Sequence, residues 1–544
     1  MSQSVMAGSP PDVDVFAPGD IGELTQILPA ELIDAVLDET RSLERRLRSL
    51  PSRVGVYFLL ALGLFEHLGA RLVWAKLTAG LAGRVPAPSE KALRDLRRRI
   101  GTAPIRRLFE VIAGPLGQPT TPGVRYRRWR TVAFDGCNSL AVPDHERNRA
   151  WLGSVSYRFG AQSYPSLQLM TLCETGTRGL LAACFGPRDE GESAVARRLS
   201  DRLTADMLVL ADRAFDDGSL LADIAGRGAQ FLVRSKANRR LPVLALLPDG
   251  TYLSRIADLS VRVIEAEITA AAADGSRIHG TYRLLTTLTD HHVDPAARLI
   301  RLYHERWEIE TTYLALRHTL LRGRVLRSKD PAGLTQEMWA LLVVYQALRS
   351  AMTTAVETVK GCDPDRAAFT VALEAARDTV VRAITTSSTP HGPHMVDLAG
   401  KIGSAVLDHL LPRRRARISA RIVKRGISRY HTWNHDGRPL KSVRLTAINV
   451  SVHPPSLPSP PAIDPSDQQR LGRRQSIVKI MESAPARTWK ARDIAERLGT
   501  TDPKTIKIIS TQLGTWARLG LLQRIARGAY KMLLHGDLSS SDAP

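Results

Sequence analysis

The sequence of 544 residues contains only four cysteines, and no two of them form a CxxC pair. This scarcity excludes a cysteine-ligated zinc module and a disulfide framework. We expect all four to be buried thiols of a protein that works in a reducing compartment: Cys137, Cys173, Cys184 and Cys362.

Long hydrophobic runs and several common enzyme motifs are also missing. The longest uncharged apolar run, Val54 to Phe65, has twelve residues, which is too short to cross a bilayer and fits a buried helix. The N-terminus lacks the basic-then-apolar layout of a secretion signal. The chain contains neither a glycine-rich phosphate loop followed by Lys and Ser or Thr nor an HExxH motif. We therefore expect a soluble cytoplasmic protein with no membrane partner.

Acidic residues are few relative to basic ones. The chain has 76 Lys and Arg against 54 Asp and Glu, which gives a formal net charge of +22. The segment from Lys401 to Pro544 holds 26 basic and 10 acidic residues. This excess indicates a polyanionic partner, and nucleic acid is the leading class. We expect the protein to be associated with the nucleoid of a bacterial-type cell.

Sequence periodicity divides the chain into segments. Helical spacing of apolar residues predicts a helical DNA-binding domain, and alternating strand-like and helical runs predict an α/β core with a mixed sheet. Extended runs within that core predict a β-rich insertion, and a proline- and serine-rich stretch predicts a linker. The expected segments are a flexible N-terminus (1–18), helical domain (19–115), core (116–345) with insertion (236–290), helical and basic region (346–450), linker (451–467), compact module (468–534) and tail (535–544).

Two aspartates occupy special places in the predicted core. Asp135 ends the strand-like run RTVAF and precedes Gly136, and Asp212 ends the apolar run MLVLA. Both are expected near sheet ends, where α/β folds assemble sites. Either one alone is more often a turn or cap residue than a catalytic one.

A stripe of polar residues on a predicted helix is more specific. The helix is expected to start near Asp294 and Pro295, and the offsets of Tyr303, Arg306, Glu310 and Arg317 are 0, 3, 7 and 14. At about 100° per residue these side chains fall within roughly 60° of arc. Glu310 would then lie between basic side chains. A surface ladder of salt bridges is the other reading.

These residues resemble a known family. The run YHERWEIETTYLALR, with FDG around Asp135 and LADRAF around Asp212, is similar to the three acidic motifs of insertion-sequence transposases of the IS-four group. The resemblance covers roughly residues 17–430. It implies a ribonuclease H-like core and metal-dependent DNA cleavage and strand transfer.

The resemblance also implies roles for individual residues. Asp135, Asp212 and Glu310 would be the catalytic metal ligands and would hold two Mg²⁺ ions, which Mn²⁺ could replace. Arg306 and Arg317 would contact phosphates of the element end, and Tyr303 would donate a hydrogen bond to one. The partners would be double-stranded DNA, both terminal inverted repeats and target, and a second copy of the chain in a homodimer or higher assembly.

Two features depart from the family pattern. Arg317 stands where the family has Lys, which keeps the charge and changes the geometry. No tryptophan lies between Trp151 and Trp307, so the insertion lacks the residue that stacks on a flipped base in relatives that form a DNA hairpin. The insertion tyrosines, Tyr252 and Tyr282, are better explained as strand residues.

The C-terminal part is expected to bind DNA. Eight basic residues and no acid lie between Arg413 and Arg429, beginning with Arg413, Arg414 and Arg415, and such a run suits DNA phosphates. The compact module resembles a winged helix. Its candidate DNA contacts are Lys504, Thr505, Lys507 and Gln512 on the recognition helix and Arg524 and Arg527 in the wing.

Several alternatives remain open from the sequence. The run RDLRRR, from Arg94 to Arg99, fits either a solvated helix face or a DNA-binding face. The final module could bind protein instead of DNA. The pair His291 and His292, with Asp294 and His304, is a weaker metal-site candidate, because adjacent histidines seldom reach one ion. The chain could also be a transposase-derived DNA-binding protein that no longer cuts, or a metal-dependent nuclease that does not join strands.

Overall fold

The computed structural model describes most of the chain in two units, residues 1–455 and 456–544. The described residues are 21–44, 46, 48–80, 87–153, 164–236, 238–272, 275, 277–304, 315–382, 400–412, 417–419, 442–453, 473–484, 487–518, 521–526 and 528–532. Within these ranges no helix is both long and apolar enough to cross a membrane.

The first unit begins with five helices that share one hydrophobic core with a long helix further along the chain. They are α1 (Ala30–Glu39), α2 (Ser52–Leu64), α3 (Ala70–Leu77), α4 (Glu90–Ile100) and α5 (Ala103–Ile112). The apolar run predicted as a core helix forms α2, which is buried along its whole length. On α4 only Leu93, Leu96 and Ile100 are buried, one stripe at helical spacing.

A mixed sheet forms the centre of this unit. Its central strands are β2 (Trp129–Ala141), β3 (Ser166–Glu174), β4 (Leu180–Gly186), β5 (Met207–Ala211) and β6 (Gln230–Arg234), and the short β1 (Arg125–Tyr126) forms a hairpin with β2. Strand β2 pairs in parallel with β5 and β5 with β6, whereas β3 and β4 are antiparallel neighbours. The order β4-β3-β2-β5-β6 fits the expected ribonuclease H-like core.

Helices cover both faces of the sheet. The helices between the strands are α6 (Glu146–Leu152), α7 (Glu192–Arg197) and α8 (Gly218–Gly226). Side chains alternate along β2: Val132 and Phe134 pack with α7 and α8, and Ala133 and Cys137 belong to the larger core on the other face. Helix α7 is short, and a 3₁₀ turn at Ser200–Arg202 follows it.

The extended segment that follows continues the same sheet. It contains β7 (Ala245–Leu246), β8 (Tyr252–Ile256), β9 (Leu259–Ala272) and β10 (Arg277–Thr286), and β10 pairs with β6 of the core. A later strand, β12 (Ser442–Val452), pairs with β9, and β11 (Arg417–Ser419) pairs with β12. The prediction of a helical region up to residue 450 is therefore wrong at its end. Pairing across more than 170 residues is not visible in local periodicity.

Among the remaining described helices of the first unit, α9 (Ala296–His304) packs against β6 and β12. A π-helix (Ala315–Leu320) and two further helices pack around the long helix α10 (Pro331–Glu357): α11 (Phe369–Arg382) and α12 (Gly400–Asp408). Helix α10 starts at the N-cap Asp330, whose side chain accepts a hydrogen bond from the amide of Gly333. Its middle is buried on all sides, because α2 and α5 cover it from the N-terminal segment.

The second unit is small and has its own core. Its elements are α13 (Arg473–Glu482), β13 (Trp489–Lys490), α14 (Ala491–Arg497), α15 (Pro503–Arg518), β14 (Leu522–Ala526) and β15 (Ala529–Met532). The strands form an antiparallel sheet in the order β13-β15-β14. Trp489 is fully buried at the centre of this core.

Candidate active site

The two aspartates predicted from the sequence fall at matched positions on neighbouring strands. In the parallel pair, Val132 of β2 lies opposite Val209 of β5, and Ala133 lies opposite Leu210. These are the last paired residues of the two strands. Asp135 follows two residues later inside β2, not at a strand end as the sequence predicts, and Asp212 follows two residues later, directly after β5. Because side chains alternate along a strand, Asp135 lies on the same face of β2 as Ala133. The fold thus gives two acids that are 77 positions apart in the sequence corresponding positions on neighbouring strands.

Each of these acids is half-buried, and its carboxylate accepts a hydrogen bond from the backbone amide of the next residue. The Oδ1 atom of Asp135 accepts a hydrogen bond from the amide of Gly136 at 2.9 Å. The Oδ1 atom of Asp212 accepts one from the amide of Arg213 at 2.5 Å, at the start of a 3₁₀ turn. That turn is anchored because Phe215 packs on Phe134 of β2, with ring centroids 6.0 Å apart.

A buried ion pair fixes the other end of this turn. Asp216 is 1% exposed, and its carboxylate lies 2.7 Å from Nε of Arg239. It also accepts hydrogen bonds from the amide of Lys236 at 2.7 Å and from the hydroxyl of Ser235 at 3.2 Å. These four residues, the Asp216 cluster, tie the turn after Asp212 to the loop after β6. No sequence pattern distinguishes Asp216 from its acidic neighbours.

The described flanks of the third acidic motif belong to the large core of the first unit. Tyr303 of α9 and Ala315 and Leu316 of the π-helix are members of the same core as Ala133 and Leu210. Glu310 and Arg306 lie between these flanks in the sequence, outside the described residues.

The two described members of the predicted stripe have different surroundings. Tyr303 is 1% exposed, and its ring packs edge-on against Tyr282 with centroids 5.8 Å apart. A phosphate contact would require the ring to leave this packing. Arg317 is half-buried, and within the described ranges no carboxylate lies close enough to pair with it. It lies in a π-helix, so the 60° arc calculated for α-helical geometry does not extend to Arg317.

The helix that leads to this segment starts from a buried hydrogen-bond network. Its first residue is Ala296, close to the start near Asp294 and Pro295 that the sequence predicts. The carboxylate of Asp294 accepts hydrogen bonds from Tyr126 Oη at 2.8 Å and from Arg127 Nη1 at 3.1 Å. Burial and this hydrogen bond to Asp294 raise the pKa of Tyr126. Arg262, also buried, donates to the Asp294 carbonyl at 2.6 Å, which ties the inserted strands to the start of α9.

The described residues contain no group of three or more His, Cys, Asp or Glu side chains positioned to hold a metal ion. The two carboxylates at the matched strand positions suit hard cations such as Mg²⁺, which prefer oxygen ligands. The donor chemistry of Asp135 and Asp212 therefore suits the expected metal, and the predicted third acid, Glu310, lies outside the described residues. The second candidate metal site contains His291 and His292, whose rings are 3.9 Å apart. The carboxylate of Asp294, its third member, accepts hydrogen bonds from Tyr126 and Arg127.

The cysteines and the C-terminal candidates also have defined surroundings. Three cysteines are buried as expected, whereas Cys184 is half-buried, and burial raises the pKa of its thiol to about 11. Lys504 and Lys507 are exposed on α15. The carboxylate of Asp502 caps α15, because it accepts hydrogen bonds from the amides of Lys504 and Thr505 at 3.2 and 3.0 Å. The hydroxyl of Thr505 donates to the same carboxylate at 2.7 Å. Arg524 of the hairpin is also exposed. Four basic candidates lie outside the described residues: Arg413, Arg414, Arg415 and Arg527.

Comparison with known proteins assigns the family. Residues 18–110 match the family described as "Insertion element 4 transposase N-terminal", and residues 132–347 match "Transposase DDE domain". The chain is 26% identical to the transposase InsG for insertion sequence element IS4 of Escherichia coli (strain K12) over 427 residues, which is 77% of this chain and 94% of that protein. The chain belongs to the IS4 family of DDE transposases.

Two further similarities are weaker. This DDE transposase is 24% identical to the putative transposase InsZ of Escherichia coli (strain K12), over 40% of this chain and 70% of that protein. A solved structure of piggyBac transposase in a synaptic complex with hairpin DNA matches with a TM-score of 0.35 and 10% identity, over 72% of this chain and 84% of that one. The predicted family and the predicted activity, DNA transposition, are confirmed by the family matches and the IS4 relative.

Proposed function

We propose that Asp135, Asp212 and Glu310 are the catalytic acids of this transposase and hold two Mg²⁺ ions. The observation that supports this proposal is the parallel pairing of β2 with β5, in which Ala133 lies opposite Leu210 and each acid follows two residues later. When bound, the ions would supply Lewis-acid stabilisation for the attacking and leaving oxygens of an in-line displacement. The reaction is hydrolysis of a phosphodiester at each element end, followed by transesterification of the freed 3′-hydroxyl into target DNA.

The chain's own residues would position the DNA. Arg317 has no acidic partner in the described ranges, so its guanidinium is available for a phosphate near the acids. Arg306 is proposed for the same task. Tyr303 is proposed as a hydrogen-bond donor to a phosphate when DNA is bound, although its ring is buried in this structure. Two ends must meet for transposition, so the active assembly is proposed to be at least a dimer.

The second unit is proposed to be a winged helix that binds DNA. Its element order, helix–strand–helix–helix–strand–strand, and its three-stranded antiparallel sheet support this reading. Helix α15 would be the recognition helix, with exposed Lys504 and Lys507 contacting phosphates, and the β14–β15 hairpin would be the wing with Arg527. The run that contains Arg413, Arg414 and Arg415 is proposed as a further contact with the DNA backbone.

The experiment incubates the full chain with Mg²⁺ and DNA that carries the native element end. We expect nicking at the end and joined products, with loss of both in Asp135→Ala by at least about a thousandfold. Substitution of Mn²⁺ for Mg²⁺ should preserve the activity. Tight DNA binding without cleavage by the wild type in either metal would instead indicate a DNA-binding protein that no longer cuts.

A further inference from the structure

A crevice beside the N-terminal helices collects arginines without matching acids. It has a volume of about 410 Å³ and lies between the loop after α1, the start of α2 and the end of α4. Four arginines and one acid line it: Arg41, Arg46, Arg48 and Arg99, with Glu44. Within the described ranges no carboxylate pairs with Arg41, Arg46 or Arg48, and all four arginines are exposed. The crevice is therefore strongly positive and open to a polymer.

The single acid does not neutralise these arginines. An oxygen of Glu44 accepts a hydrogen bond from the amide of Ser52 at 2.7 Å, so this carboxylate caps the start of α2. Arg99 donates to the carbonyl of Leu50. Burial and the nearby charge of Arg48 lower the pKa of Arg99, as expected where like charges gather. A bound anion would relieve this repulsion.

A buried hydroxyl at the base of the crevice is a second, independent sign of a ligand. Ser52 is fully buried, and its Oγ atom has no hydrogen-bond partner in the described part of the chain. It lines the crevice at the first turn of α2, a helix of 13 residues. Buried hydroxyls normally have a partner, and the N-terminus of a helix favours an anion. An acceptor oxygen placed in the crevice would satisfy the hydroxyl.

We infer that this crevice binds a backbone phosphate of double-stranded DNA, with Arg46, Arg48 and Arg99 holding its charge and Ser52 donating to one of its oxygens. A DNA phosphate fits better than a free phosphate because the exposed arginines continue along α4 through Arg94 and Arg98, as a polymer requires. Arg97, in the same run, makes contacts within the protein. Arg97 binds Gln336 at 3.1 Å and Ser328 at 3.0 Å, which fastens α4 to the segment around α10. The run RDLRRR thus combines an anchor with a basic face.

The test measures binding of a duplex carrying the element end by fluorescence anisotropy over a range of salt concentrations. All proteins carry Asp135→Ala, which prevents cleavage. The double variant Arg46→Ala/Arg48→Ala should bind about tenfold more weakly at low salt, and the slope of log K against log salt should fall by about one. Ser52→Ala should weaken binding about threefold with the slope unchanged, because it removes a neutral donor. The matched control is Arg107→Ala, whose side chain is already paired with Glu39 at 2.9 Å.

Two results would overturn the inference. One is unchanged affinity and slope in both crevice variants, each shown to melt at the wild-type temperature. The other is a rise in melting temperature with inorganic phosphate that the double variant abolishes while DNA affinity stays constant, which would assign the crevice to free phosphate. The inference rests on the proposed handling of DNA by this chain. A separate cleavage assay, with Asp135 intact, distinguishes failure of the inference from failure of the proposed function. If the crevice variants bind DNA like the wild type and the protein cleaves the element end, only the inference about the crevice is rejected.

Discussion

Asp212 and Asp216 lie four residues apart, at the two ends of one turn, and their environments are opposite. Asp212 is half-buried, and its described hydrogen bond goes to the next backbone amide. Asp216 is 1% exposed and is held by Arg239, Lys236 and Ser235. The comparison separates two uses of a carboxylate: Asp212, directly after β5, is proposed as a metal ligand, and Asp216 fixes the turn that follows Asp212.

Other carboxylates of the first unit also serve the structure through buried ion pairs. Arg178 pairs with Asp365, and Arg377 pairs with Glu66 at 2.8 Å, and all four side chains are almost fully buried. A buried pair of this kind contributes little net stability compared with apolar packing, but loss of one partner is costly. We therefore expect substitutions of Asp135 or Asp212 to lower the rate of DNA cleavage, and substitutions in the Asp216 cluster to lower the stability of the fold.

The largest expected effect is on catalysis, at Asp212. The substitution Asp212→Asn keeps the size of the side chain and removes its charge. We expect strand cleavage to fall by about a thousandfold or more, because a neutral amide is a poor ligand for Mg²⁺, with a melting temperature within about 2 °C of the wild type. Cleavage of an end-labelled duplex and thermal unfolding measure both. A large drop in melting temperature with cleavage retained would reverse the assignment.

The next effect is on stability, at Asp216. Asp216→Ala removes the partner of the half-buried Arg239 and the acceptor of the Lys236 amide and the Ser235 hydroxyl, and should cost about 1 to 3 kcal/mol of folding free energy. The expected observation is a clearly lower melting temperature of the first unit. Adding Arg239→Leu should cost less than the sum of the two single changes, because the unpaired charge is removed. Strictly additive losses would show that the two side chains do not depend on each other.

The smallest effect is expected at Asp217, which provides the control for both. Its Oδ1 atom accepts hydrogen bonds from the amides of Ser219 and Leu220, at 3.1 and 3.0 Å, and caps α8. Asparagine caps helices about as well as aspartate. Asp217→Asn should therefore leave both cleavage and melting temperature near the wild-type values. A strong effect on either would mean that charge anywhere in this turn matters.

The strands that carry the first two acids were predictable from the sequence. The short apolar runs RTVAF and MLVLA located β2 and β5, with Asp135 directly after the first run and Asp212 directly after the second. The role of Asp216 was not predictable, because Arg239 reaches it from another loop. Strand β12 was missed because its partner β9 lies far away in the sequence. The π-helix that contains Arg317 was missed because an apolar stripe does not distinguish a π-helix from an α-helix over six residues.

The most direct test of the central claim is a change of metal preference at the paired acids. In Asp135→Cys and Asp212→Cys a thiolate replaces a carboxylate, which weakens binding of hard Mg²⁺ more than binding of softer Mn²⁺. The account predicts that cleavage of the element-end duplex by each variant is lost in Mg²⁺ and partly restored in Mn²⁺, whereas Asp135→Ala is inactive in both. Full activity of either cysteine variant in Mg²⁺ would contradict the claim that these two residues hold the catalytic metal.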